Sequence, residues 1–323
     1  MIKDKFAITG IGGSTAQKHL RAIKENNGEL AAALDPHDSV SILDSYFPEA
    51  AFFTEFERFD RHLEKIRRGN SDDWVKYLSI CSPTHLHDAH ARLALRLGMN
   101  AICEQPLSLN PWNLDAIQEI EAENAGRVYL TLLFRCSPVI KQLKHLLDNS
   151  RNGRKFRVSL TSILPAGVWY KYSWKGMKEK SGGIATELGI NYFDVLIWLF
   201  GEVESSFVHY ADDYRAGGFL ELKSAEVGWY FSIDKNDLPE NKPEFHSFNI
   251  DGEEVLFNTD RNFLYKNVYQ EILAGRGFGI DDARASIKLV NQIRNSEFSA
   301  VTETAHPAIK KLLNIEEYSN ELL

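Results

Sequence analysis

The strongest constraint on this chain is a rhythm. Over its first 130 residues, short apolar runs alternate with segments of helical period. The runs are residues 5–9 (KFAIT), 30–34 (LAAAL), a stretch around Phe52 and Phe53, 77–81 (YLSIC), 100–103 (NAIC) and 128–132 (VYLTL). The intervening segments are a helix reaching Lys24, then 55–68, 86–97 and 111–124. Short strands separated by helices make βαβ units, and βαβ units stack their strands into a parallel sheet covered on both faces. The expectation is an α/β domain over residues 1–135.

Beyond Phe134 the rhythm changes. A helix over 138–149 and a strand over 155–163 lead to a glycine-started helix, 183–200, ended by Gly201. Extended runs then crowd together at 203–211, 217–223, 225–233, 244–250 and 253–257, before helical segments at 262–274 and 281–296. Crowded strands with few helices predict an α+β domain over 136–323 with an open, mostly antiparallel sheet. A chain of 323 residues is long enough for two such domains.

Charge and cysteine content narrow the chemistry. Lys+Arg is 37 against Asp+Glu 45, a formal net charge of -8. That balance argues against a nucleic-acid partner, which needs a basic surface to displace counterions. Three cysteines, Cys81, Cys103 and Cys136, form no C-x-x-C pair and suit reduced thiols rather than a disulfide framework. No apolar stretch is long enough to span a bilayer, so no membrane insertion is expected. The opening MIKDKFAITG runs straight into a strand, which predicts no secretory signal and a cytoplasmic protein.

The first strand ends in Gly10-Ile11-Gly12-Gly13, followed by Ser14, Thr15 and Ala16 at the start of a helix. A glycine turn in that position lets backbone N–H groups and the positive helix end approach a diphosphate. The spacing is not a clean G-x-G-x-x-G, and a plain tight turn fits it as well. Asp35 adds to the dinucleotide reading. It closes the second strand, where an acid accepts hydrogen bonds from an adenosine ribose. No Lys or Arg lies between Asp35 and Arg58, so NAD is expected rather than NADP. The next two strands end in Cys81-Ser82-Pro83-Thr84-His85 and Cys103-Glu104-Gln105-Pro106, at carboxyl ends where ligands bind in parallel sheets.

The glycine turn, CSPTHLH and CEQP together resemble the Gfo/Idh/MocA family of nicotinamide-dependent sugar oxidoreductases. Within it the chain is similar to the UDP-N-acetylglucosaminuronate 3-dehydrogenases of bacterial surface-polysaccharide and lipopolysaccharide pathways. The similarity extends through CSPTHLHDAHARLALRLGMNAICEQPLSLNPWNLDAI, WYKYSWKG, KSGGIATELGINYFDVLIWLFG, SFNIDGEEV and EILAGRGFGIDDAR. It implies a Rossmann domain with NAD held by Gly10, Gly13, Ser14, Thr15, Ala16, Asp35, Ser82, Pro83, His85, His87, Glu104 and Gln105. It also implies a UDP-sugar-like substrate oxidised at its 3-hydroxyl, and a homo-oligomer, dimer or tetramer, formed through the open sheet.

The chain departs from the family where the chemistry sits. Gln105 stands in place of the usual Lys of Glu-Lys-Pro, and Asn191 in place of the usual His of Gly-Ile-His. The family uses these two positions for acid–base work. Ser137, Asn291 and Ala166 also replace family-typical residues. Gln and Asn hydrogen-bond a hydroxyl but cannot take its proton near neutral pH. Lys→Gln and His→Asn are swaps chosen to inactivate an enzyme, whereas Ser137 and Ala166 favour natural divergence. Two readings therefore stand: an NAD-dependent oxidoreductase altered in substrate or base, or a catalytically silent paralogue that binds NAD or a nucleotide sugar or partners an active relative.

Glu187 is the candidate substitute base, since desolvation beside a nicotinamide would raise its pKa, with orienting neighbours or capping helices as the alternative role for Glu187 and Asp194. Glu187, Asn191, Asp194 and Trp198 recur at helical spacing, so one continuous helix would put them on one face. Trp169 and Tyr170 offer aromatic faces for a uracil or sugar. Lys175 offers a cation for a phosphate, and Arg135 one for a carboxylate or phosphate, with core packing or a salt bridge as the alternative. His85, His87 and His90 form H-x-H-x-x-H beside Asp88, but this spacing splays the rings and no metal is expected.

Overall fold

The computed structural model describes residues 3–149, 153–256 and 260–315. The first part runs β1 (Lys5–Thr9), α1 (Ala16–Glu25), β2 (Glu29–Leu34), α2 (Ile42–Tyr46), β3 (Ala51–Phe53), α3 (Phe56–Arg67), β4 (Tyr77–Ile80), α4 (His87–Arg96), β5 (Asn100–Cys103), α5 (Trp112–Glu123) and β6 (Val128–Leu130). All six strands are parallel, in the order β3-β2-β1-β4-β5-β6. Phe6, Ala7 and Ile8 of β1 are buried, as are Leu78 and Ile80 of β4. This is why these strands read as unbroken apolar runs: helices cover both faces. The order reverses direction beside β1, and the crevice at the carboxyl ends of β1 and β4 is the switch point where such sheets bind ligands.

The second part runs α6 (Pro138–Asn149), β7 (Phe156–Ile163), α7 (Trp169–Tyr172), α8 (Lys178–Ser181), α9 (Ile184–Glu187), α10 (Ile190–Phe200), β8 (Val203–Ala211), β9 (Arg215–Leu222), β10 (Ala225–Ser232), β11 (Phe245–Ile250) and β12 (Glu253–Glu254). Its sheet has the order β12-β11-β7-β10-β9-β8, antiparallel except where β7 meets β10. Trp229 and Phe231 of β10 pack edge-on against Phe193 of α10. Of the predicted run 253–257, Glu253–Glu254 pairs with β11, and Phe257 lies outside the described residues.

Three further helices follow among the described residues: α11 (Arg261–Leu273), α12 (Ile280–Asn295) and α13 (Pro307–Leu312). The chain divides into two compact units, Met1–Cys136 with Thr259–Ile287, and Ser137–Asn258 with Lys288–Leu323. The stretch 259–287, expected in the second domain, thus belongs to the first. Its anchor is α11, which buries Leu264, Val268 and Ile272 on one row and Tyr265 and Tyr269 on the next. No single helix among the described residues is long and apolar enough to cross a membrane.

The helix expected over 183–200 is two helices. The break falls at Leu188–Gly189, and the chain bends there by 50°. Gly189 allows it: a Cβ there would lie 2.3 Å from the Ala185 carbonyl oxygen and 2.6 Å from the Phe231 ring. Glu187 ends α9, across this bend from Asn191, Asp194 and Trp198, which keep their helical spacing on α10, so no single straight helix carries all four.

Candidate cofactor and substrate site

The glycine turn follows directly from packing. Gly10 has φ +77°, and a Cβ there would stand 2.5 Å from both the Cys81 carbonyl oxygen and the Ser82 nitrogen. Only glycine lets the end of β1 lie against the end of β4. Gly13 N donates to the Gly10 carbonyl at 3.0 Å, and Ala16 N to the Gly13 carbonyl at 3.1 Å, which starts α1 with Ser14 and Thr15 in its approach.

Asp35 closes the far side of this turn. Its Oδ2 accepts from Gly12 N at 2.9 Å and its Oδ1 from His37 N at 2.9 Å. The residue is 7% exposed. Each carboxylate oxygen has more than one acceptor direction, so capacity remains for ribose hydroxyls. A cradle that a Cβ would fill, a helix start and a fixed acid together fit a dinucleotide.

On the other side of β1 lies Glu104. Its Oε1 accepts from His19 Nε2 at 2.8 Å, Tyr265 OH at 2.8 Å and Thr131 Oγ1 at 3.0 Å. Burial works to raise its pKa, but these hydrogen bonds and the nearby His19 outweigh it, so the carboxyl titrates below its ordinary value. Behind it, His19 Nδ1 meets Tyr269 OH at 2.7 Å, and Tyr269 OH meets Ser79 Oγ at 2.6 Å. Sequence reasoning missed this chain. The signal for it was the Tyr265–Tyr269 pair four residues apart, but nothing local says which strand they cover.

Gln105 is the anomaly of this edge. It is 9% exposed, and among the described residues neither amide atom has a hydrogen-bond partner. Buried amides are normally paired, and an orphaned one costs roughly 1–3 kcal/mol. A partner supplied by a ligand removes that cost.

The other residues of this edge separate. Ser82 Oγ bonds His90 Nδ1 at 2.8 Å, and burial, with His87 and His85 nearby, pushes His90 down to about 4. Pro83 precedes the turn Thr84–Leu86, and His85 is exposed. His87, expected to touch cofactor, instead points inward with both ring nitrogens on backbone carbonyls. Arg135 Nη2 donates to the Asp282 carbonyl at 2.8 Å, and its guanidinium lies over Phe278. Among the described residues, no group of three His, Cys, Asp or Glu side chains is placed to hold a metal ion. The three cysteines are buried free thiols.

In the second unit, Lys175 Nζ is paired with Glu187 Oε1 and lies over Trp174. Glu187 is therefore a carboxylate held by an ammonium, not an isolated acid. Tyr170 is buried with no partner for its hydroxyl among the described residues, and burial pushes that phenol up to about 12. Trp169 is 59% exposed, Asn191 is partly buried and Asp194 is buried.

A parallel sheet with a glycine turn at its switch point and an acid closing β2 defines a dinucleotide-binding Rossmann domain, here followed by an α/β domain. Comparison with known proteins agrees. Residues 5–132 match the NAD-binding Rossmann fold of the GFO/IDH/MocA oxidoreductase family, and residues 154–308 match its C-terminal alpha/beta domain. The chain belongs to this family. The WlbA (WbpB) dehydrogenase of Thermus thermophilus, solved with NAD and α-ketoglutarate, is 43% identical, with a TM-score of 0.90 over 94% of this chain and 99% of that one. The same dehydrogenase solved with NAD and UDP-GlcNAcA is 42% identical, with a TM-score of 0.89 over the same shares. The putative oxidoreductase YteT of Bacillus subtilis is 25% identical over 201 residues, 62% of this chain and 43% of its own length. The chain spans about half the length of the curated relatives it matches.

Proposed function

We propose that this protein is an NAD-dependent oxidoreductase acting on a UDP-linked N-acetylglucosaminuronate or a close variant, at the 3-hydroxyl. The reading is carried by the orphaned amide of Gln105, buried just past the carboxyl end of β5 on the sheet's ligand edge. Similarity to a dehydrogenase solved with NAD and UDP-GlcNAcA supports the substrate class.

NAD, when bound, supplies a hydride acceptor. The protein's own residues bind and orient. The Gly10–Gly13 turn and the first turn of α1 hold the diphosphate, with Ser14 and Thr15 lining it. Asp35 accepts the ribose hydroxyls. Ser82, Pro83, Glu104 and Gln105 face the opposite half of the dinucleotide. Neither the Gln105 nor the Asn191 amide can take the proton of a reacting hydroxyl near neutral pH, so that proton passes to water. Glu187, held by Lys175, orients that lysine toward the anionic sugar; Trp169, Tyr170 and Asp194 complete the substrate side. We further infer a cytoplasmic homo-oligomer, dimer or tetramer, which light scattering tests.

The test is a single turnover: protein with NAD, mixed with UDP-GlcNAcA, followed by NADH absorbance. Stoichiometric NADH is expected. α-Ketoglutarate, a keto acid able to take the hydride back, is expected to reverse the signal. No NADH across a panel of UDP-sugars, with NAD still bound, identifies the silent-paralogue reading instead.

A further inference from the structure

His87 is the first residue of α4 and is 2% exposed. Its Nδ1 lies 2.8 Å from the Pro106 carbonyl oxygen and its Nε2 2.8 Å from the Ser82 carbonyl oxygen. It therefore bridges the loop after β4 and the loop after β5, the two loops that carry Ser82, Pro83, Glu104 and Gln105. Both partners are carbonyls, which only accept. A neutral imidazole has one N–H and one lone pair, so it satisfies one carbonyl and turns its lone pair on the other. Only the imidazolium donates to both.

We propose that His87 is a positioning residue that ties the Ser82 and Pro106 loops together as an imidazolium and releases one of them when it loses its proton. The groups around it divide. The two carbonyls and the Glu104 carboxylate favour the cation. Burial opposes it, as do the neighbouring His90, which repels it when both are charged, and the positive end of α4, whose first turn also carries Asp88. Burial dominates and holds the His87 pKa below the ordinary histidine value. The two-bond form is thus complete on the acid side of that pKa and gives way as pH rises through it. If NAD favours the tied loops, NAD must raise the His87 pKa by the same factor by which the proton raises NAD affinity.

This inference rests on the proposed NAD site only for its second half, and the experiment separates the two. Histidine-labelled protein is titrated by NMR with and without saturating NAD, with the His87 signal assigned from His87→Gln. The His87 ring and the Ser82 and Gln105 amides are expected to shift with one midpoint, and NAD is expected to move that midpoint upward. NAD affinity measured by calorimetry should fall about fivefold or more from the acid to the alkaline side, the lower range of ordinary site coupling. His87→Gln should lose that pH dependence. Should this variant not fold, the loop amides of the unaltered protein decide alone. Loop amides that do not follow His87, a midpoint unmoved by NAD, or a Gln variant that keeps the pH dependence each overturn the proposal. Absence of NAD binding at every pH overturns the proposed function, while the NAD-free titration still decides the loop tie.

Discussion

Gly10→Ala tests whether the cofactor edge is set by backbone contact. The new Cβ would sit 2.5 Å from the Cys81 carbonyl oxygen and 2.5 Å from Ser82 N, both backbone atoms that cannot rotate away. The φ of +77° adds its own penalty, about 1–2 kcal/mol for an L residue. Forcing β1 and β4 apart adds about 1–3 kcal/mol, the usual cost of overpacking. The sum, about 2–5 kcal/mol, corresponds to a melting temperature lower by roughly 5–15 °C for a unit of this size. Gly275→Ala is the internal control. It lies in the same unit with φ +74°, and nothing stands within 4 Å of its would-be Cβ. It carries the conformational penalty without the clash. Thermal melts of both variants, with NAD binding by calorimetry, are the assay. Gly10→Ala should melt well below Gly275→Ala and lose NAD uptake. Equal melting temperatures would refute the contact argument.

Three further outcomes are expected. Asp35→Ala should weaken NAD binding about 10- to 100-fold, the worth of a charged hydrogen bond, and narrow the preference over NADP; calorimetry showing unchanged affinity removes Asp35 from the ribose. The unaltered protein should show a single-turnover rate that climbs with pH without a plateau, whereas Gln105→Lys with Asn191→His should raise it about 10²–10⁴-fold and give a plateau; no gain in the double variant means that the sugar pocket itself has changed. Stability should fall on acidification from pH about 6.5 to about 4, because His90 and His306 are both pushed down to about 4, chiefly by burial. In that window the unfolded chain binds more protons than the folded one, so each histidine removes at most roughly 3 kcal/mol. His306 Nδ1 accepts the Ala308 N–H that starts α13, and a proton there would remove that cap. Denaturant midpoints at the two pH values check this, and a His306→Gln variant with the same slope would contradict it.

The legible part of the fold was the part with local causes. Strands of the first unit read as short apolar runs because both faces are covered, and Asp35 could be placed because it closes one of them. What was not legible depends on distant contacts. The periodicity of 183–200 passes unbroken through Gly189, and only the Phe231 ring pressed against that position explains the bend. The return of α11 to the first unit leaves no mark in composition, since a helix that buries two rows of side chains looks alike wherever it docks. Arg135 has a sequence position suited to a ligand, yet its guanidinium is committed to Asp282, 147 residues away.

On the proposed assignment, binding and proton transfer rest on different residues. Gly10, Asp35 and Glu104 are fixed by contacts that span the whole first unit, so changing any of them disturbs the fold as well as the ligand. The Gln105 amide makes no hydrogen bond among the described residues, so no side-chain contact of that kind ties it to the fold. A position of that kind can exchange a proton carrier for an amide at little structural cost. On that assignment a change at Gln105 alters rate while cofactor binding stays tied to the stability of the sheet, so rate and NAD affinity should respond independently to substitution at these two sets of residues.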